Sequence, residues 1–200
     1  MNKKHPAYRY AMDVAEGKVN APKYVKLQVK EFLTIANGKD SRYMIDDNKV
    51  HTIGELLKLM VMPKGLKANS TVYDAMAGFQ WLFIIAILCT VERDNKEKRR
   101  YENAILEICR KNGKTFLIAV LFILLFFIEP KFSKFYSVAP DGSLSREIKT
   151  AIEEIIRSSP ALLGKMNGKE KFKILRDYIH CNITENRYTP LNYSTGRLDG

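Results

Sequence analysis

Cysteine is scarce in this chain, and its scarcity excludes several chemistries. The three residues, Cys89, Cys109 and Cys181, are odd in number and widely spaced. No disulfide framework or zinc spacing fits them, so a reducing, cytoplasmic setting is expected. His180 and Cys181 are adjacent, which is poor geometry for joint metal binding, and both are expected in a strand. Long hydrophobic runs are missing too. Residues 79–89 and 116–128 are apolar, but fall short of the roughly 18 residues of a membrane span. The N-terminus is polar and helical, unlike the basic patch and apolar core of a signal peptide. No internal repeat or low-complexity segment is present.

Acidic residues are outnumbered 22 to 33 by lysine and arginine, giving a net charge of +11. That balance favours a polyanionic partner: nucleic acid, nucleotide or an anionic membrane surface. A basic domain with no such partner fits the charge as well. At 200 residues and 46% apolar composition, the chain suits one domain with a real core, or one domain with a helical extension.

Apolar periodicity and breakers predict amphipathic helices over 6–17 and 22–36, the second ended by Asn37-Gly38. Lys23, Lys26 and Lys30 form a basic stripe on it, most simply a solvated face. Thr52 is placed to cap a helix over 53–61, and Ser70 a long helix over 71–91. Met44-Ile45-Asp46-Asp47 imitates an apolar run ending in metal-site acids, but lies too early in the chain for that role. Further strands are expected at 134–139 and, as a hairpin turning at Glu185-Asn186, at 179–184 and 187–191; a helix to about 157 follows a Pro140-Asp141-Gly142 turn, capped by Ser143 or Ser145.

The centre of the chain is Ile108-Cys109-Arg110-Lys111-Asn112-Gly113-Lys114-Thr115. The short apolar run 104–108 before it reads as the end of a strand over 101–108, and 116–128 after it as a buried helix. A strand, a tight basic loop ending Gly-Lys-Thr and a helix form the frame of a phosphate-binding loop. The helix start offers unpaired N–H groups and the positive end of a dipole. In such a loop Gly113 lets the backbone close on a phosphate, Lys114 reaches the outer phosphates and the Thr115 hydroxyl holds Mg²⁺. The usual first glycine of the pattern is Ile108 here. The plain alternative is a basic turn that caps a helix. The βαβα order argues for an α/β fold of the P-loop NTPase type, a mainly parallel sheet flanked by helices. The division expected is an N-terminal helical region over 1–70 and a core over 71–200.

Several stretches together resemble the ATPase portion of the large terminase subunit of tailed bacteriophages. They are the Phe79-Gln80-Trp81 helix, the run from Arg99 to Thr115, the strand ending Val138-Ala139-Pro140, and the closing Ser194-Thr195-Gly196-Arg197-Leu198-Asp199-Gly200. Members of that group use a deviant loop with an early arginine and no first glycine. The resemblance implies ATP and Mg²⁺ as cofactors, with Arg110, Lys111, Asn112, Gly113, Lys114 and Thr115 around the phosphates and Gln80 at the adenine. It implies Lys114 on the β and γ phosphates and Thr115 on the metal. Arg110 would stabilise charge on the transferring phosphoryl group or simply bind ground-state phosphate. It also implies double-stranded DNA, a portal protein, a small terminase subunit and a homo-oligomeric ring as partners. The work would be done in the host cytoplasm at the procapsid. The acidic pair of that family has no counterpart after the loop: Glu153-Glu154 lie in a helix. The pair and a nuclease domain are expected beyond Gly200, leaving a fragment of weak or no turnover. Another P-loop enzyme, helicase-like or a kinase, and a non-catalytic basic DNA-binding module are the alternatives.

Overall fold

A computed structural model of the chain describes residues 1–139 and 142–192. The chain forms two compact units, neither of them continuous. One takes Met1–Glu55 and Met76–Glu107; the other takes Leu56–Ala75 and the chain from Ile108 on.

The first unit opens with α1 (Pro6–Ala15), α2 (Lys23–Ala36), β1 (Tyr43–Ile45) and α3 (Asp47–Leu59). The chain leaves it, forms the short α4 (Val72–Ala75), and returns as α5 (Gly78–Cys89) and β2 (Thr90–Glu92). α1 buries Ala7, Tyr8, Ala11 and Val14, the spacing of one helical face. That face meets α5, where a Cβ on Gly78 would fall 2.7 Å from the Tyr10 side chain. Close approach therefore requires glycine there, and it coincides with a break in the expected long helix at extended Ala77. Thr71, not Ser70, caps α4 by accepting the Asp74 N–H at 3.1 Å. Similarly, α3 starts six residues earlier than Thr52 suggested, because Asp46 accepts the Asn48 N–H at 2.9 Å. Of the acidic pair after Met44-Ile45, Asp46 is thus the helix cap and Asp47 the first residue of the helix. β1 and β2 pair antiparallel, with Ile45 opposite Thr90.

His5 begins α1. Its Nδ1 accepts the Ala7 N–H at 3.2 Å, and its ring meets Trp81 edge-on at 5.0 Å. Burial pushes the imidazole down to about 4, against a weaker opposing pull from Asp47. The unfolded chain takes up this proton near its ordinary 6.5, while the folded chain resists until about 4. Stability present above pH 6.5 should therefore be lost as pH falls towards 4. The ring is partly exposed, so the loss is about 1–2 kcal/mol. Urea denaturation across that range measures it, and His5→Asn, which keeps a capping acceptor, should flatten the slope.

The second unit contains α4, α6 (Lys114–Ile128), β3 (Lys134–Ala139), α7 (Gly142–Ser158) and α8 (Pro160–Leu163). The minor hairpin β4 (Lys165–Met166) and β5 (Lys169–Glu170) precedes β6 (Phe172–Ile174), β7 (Ile179–Cys181) and β8 (Asn186–Asn192). The main sheet runs β3-β8-β7-β6. Only β3 and β8 are parallel; β6, β7 and β8 are antiparallel neighbours. The sheet is therefore mixed rather than mainly parallel. Short turns between β6, β7 and β8 allow only antiparallel pairing, whereas the long connection through α7 permits the parallel pair. The expected strand at 134–139 and the hairpin are present, and His180 and Cys181 lie in β7.

α6 lies on one face of this sheet. None of residues 115–128 is exposed, as an apolar surface all round a helix requires. Phe122 meets Tyr188 at 4.7 Å between ring centroids, and Phe126 meets Phe135 at 5.7 Å and Phe172 at 5.4 Å. The Phe126 carbonyl near the helix end accepts from Thr184 Oγ1 at 2.7 Å and Asn186 Nδ2 at 3.0 Å. Ser159 ties the segment after α3 to α7: its Oγ accepts the Val61 N–H at 2.8 Å and donates to the Ile155 carbonyl at 2.6 Å.

The expected strand over 101–108 is absent. The segment has no regular structure, and Ile105 is 92% exposed. An apolar run becomes a strand only where another strand completes its ladder, and none among the described residues pairs with it. α7 begins at Gly142, ahead of both serines expected to cap it. The Pro140-Asp141 turn and the closing segment from Ser194 lie outside the described residues.

Candidate functional site

The basic loop sits at the start of α6. Lys111 has φ 65° and Gly113 φ 75°, so the backbone enters the left-handed region twice within three residues. Glycine accepts this at no steric cost; lysine does not. Gly113 is the N-cap, and no side chain caps the helix there. The first intrahelical bond runs from the Leu117 N–H to the Gly113 carbonyl at 2.9 Å. The first-turn N–H groups therefore face outwards without an intrahelical acceptor, at the positive end of a fifteen-residue helix.

They open into a cleft of about 790 Å³. Arg110, Lys111, Gly113, Lys114 and Thr115 line one side, and α7 supplies Arg146, Glu147, Thr150 and Glu154 opposite. Met62, Pro63 and Lys64 form the rim. Lys64 is neutralised by Glu154 at 2.7 Å. Arg110, Lys111, Lys114 and Arg146 pair with no carboxylate among the described residues. Four unpaired cations thus share the cleft with Glu147. Three of the four, with the open helix start, come from six consecutive residues, because the tight turn folds them onto one mouth. This arrangement suits a compact polyanion.

Thr115 is half-buried beside Lys114, and its hydroxyl has no partner among the described residues. Among those residues, no group of three or more His, Cys, Asp or Glu could hold a metal by itself. A Mg²⁺ here would thus have to be shared with a ligand's own oxygens, its common mode with phosphates. Asn112 is exposed and stands outside the cleft lining. Gln80 belongs to the first unit. It is 7% exposed, and its Oε1 accepts the Ala77 N–H at 2.9 Å, the reach-back half of a capping box.

The α7 wall was not visible in the loop sequence. Its signal was present: Arg146, Thr150 and Glu154 recur every fourth residue, one stripe of a helix. Glu153, adjacent in sequence, turns away to Lys149 and Arg157. Glu154 is the member of that pair in the cleft.

No family model matches the chain, and no curated protein matches it. A solved structure does: the crystal structure of the HK97 bacteriophage large terminase is similar with a TM-score of 0.57 and 20% sequence identity. The match covers 78% of this chain and 29% of that one, so the chain spans less than a third of the terminase's length. No helix among the described residues is long and apolar enough to cross a membrane. The shared architecture is one of fold: the chain has a terminase-like α/β fold.

Proposed function

We propose that the chain is the ATPase part of a viral DNA-packaging motor. The observation that carries this is the cationic cleft at the uncapped start of α6, in a terminase-like fold. A nucleoside triphosphate offers a run of negative oxygens, and the cleft offers first-turn N–H groups with Arg110, Lys111, Lys114 and Arg146 around them. In this reading Lys114 contacts the outer phosphates, and the Thr115 hydroxyl shares Mg²⁺ with them. Gly113 lets the backbone approach, and Asn112 closes the turn. Arg110 faces the transferring phosphoryl group. Gln80 at the adenine rests on resemblance alone, since its carbonyl oxygen already holds a helix start.

Bound Mg²⁺ would supply charge neutralisation at the β and γ oxygens. This chain's part is to bind and orient. ATP hydrolysis would drive double-stranded DNA into a procapsid, with a portal protein and a small terminase subunit as partners and a ring of copies at work. The test is titration of a fluorescent ATP analogue with Mg²⁺ into the 200-residue chain. Saturable binding displaced by ATP but not by AMP is expected, because the outer phosphates carry the contacts. Equal displacement by AMP, or no binding, would sink the reading.

A further inference from the structure

The second face of the main sheet, opposite α6, is open, and its chemistry is distinctive. Lys134 on β3 is paired in register with Arg187 on β8. Arg187 is paired with His180 on β7, and His180 with Lys173 on β6. One basic row therefore crosses all four strands. Strands lie roughly 4.8 Å apart, so the row spans about 14 Å. Like charges in directly opposed positions cost stability, so such a row is not explained by the sheet's own needs.

Neutralisation within the row is sparse. Glu185 reaches His180 at 2.9 Å. Lys134 and Lys173 have no carboxylate partner among the described residues. The Arg187 guanidinium sits over the Tyr178 ring, 3.7 Å from its centroid. Its N–H groups have no carboxylate partner among the described residues and can donate to a phosphate. These residues surround a shallow cavity of about 470 Å³.

Aromatic rings flank the row on β3 and in the turn just before it. Phe132 is 71% exposed and Tyr136 is 51% exposed, two residues either side of Lys134. Lys134 and Tyr136 are two apart on β3 and so share one side of the strand, and Phe132, in the turn before β3, lines the same cavity as Lys134 and Arg187. A row of cations beside exposed ring faces is the pattern of a single-strand platform, in which phosphates follow the charges and bases stack on the rings. A duplex keeps its bases stacked internally and offers nothing to those rings.

We infer that this sheet face binds single-stranded nucleic acid, with its phosphates along Lys134, Arg187 and Lys173 and a base on Tyr136. The inference is independent of the nucleotide cleft, which uses none of these residues. Fluorescence anisotropy with a labelled twelve-nucleotide oligo(dT) tests it on the intact chain. Tyr136→Ala should weaken binding roughly five- to a hundredfold, and Tyr136→Phe should restore it. Lys173→Ala should lower the slope of log affinity against log salt by roughly 0.7. Both positions are exposed, so both variants should fold, as circular dichroism would verify. Three results overturn the inference. One is wild-type affinity in Tyr136→Ala. The second is equal affinity for a blunt duplex of the same length. The third is equal affinity for a labelled acidic peptide, which would make the partner an acidic protein.

Discussion

Lys114→Ala should weaken binding of an ATP analogue by roughly ten- to a hundredfold while leaving the fold intact. Lys114 is exposed, is the first residue of α6 and has no carboxylate partner among the described residues. Its removal therefore breaks no internal interaction, and alanine is a good helix former. Stability should stay within about 0.5 kcal/mol of wild type. Against the ligand the position behaves differently. A charge-assisted bond to phosphate contributes about 1.5–3 kcal/mol, and no neighbouring lysine starts from the same point on the helix. Lys111→Ala should cost less, since Lys111 precedes the open N–H groups instead of standing among them. An analogue that binds Lys114→Ala as well as wild type, with circular dichroism unchanged, would return the loop to a plain basic turn.

Phe126→Ala should destabilise the second unit by about 3–5 kcal/mol. The ring is completely buried and touches Phe135 on β3 and Phe172 on β6, so one side chain joins α6 to both edges of the main sheet. Its removal opens a cavity that neighbours on two separate strands cannot easily fill. Against the 5–15 kcal/mol typical of a domain, that loss is large. It should appear as a lower urea midpoint by far-UV circular dichroism. The single tryptophan, Trp81, lies in the first unit and is the wrong probe. A midpoint shift equivalent to less than about 1 kcal/mol would show that the helix is held some other way.

The parts legible in the sequence were those whose physics is local. α6 announced itself as thirteen unbroken apolar residues, and β3 and the β7–β8 hairpin by strand formers between turn residues. The turn into α6 was legible because a glycine directly before an apolar run marks a helix start, and Gly113 takes the left-handed φ of 75° there. What was missed depends on partners distant in the chain. The run at 104–108 has strand composition but no described strand beside it. α5 is separated from α4 where Gly78 is pressed against Tyr10, a contact no local rule contains. The acidic cap at Asp46 was hidden because polar residues around it looked like loop. Half of the cleft comes from α7, and only the sheet and α6 determine which stripe of that helix faces the loop.

The parallel strand pair also sets an order in time. Ser137 on β3 hydrogen-bonds Tyr188 on β8, 51 positions later in the chain. β6, β7 and β8 are near neighbours in sequence and can pair as soon as they are made, whereas β3 must wait for the loop between to close. During synthesis, α6 and β3 emerge first, and their apolar covering arrives last. In that interval α6, apolar all round, has α7 beside it but lacks its cover from β6, β7 and β8, which leaves it exposed to aggregation and to chaperones. Nascent chains stalled before β8 should bind a hydrophobic-surface dye that chains stalled beyond it do not, and equal dye binding would mean α6 finds cover without the strand.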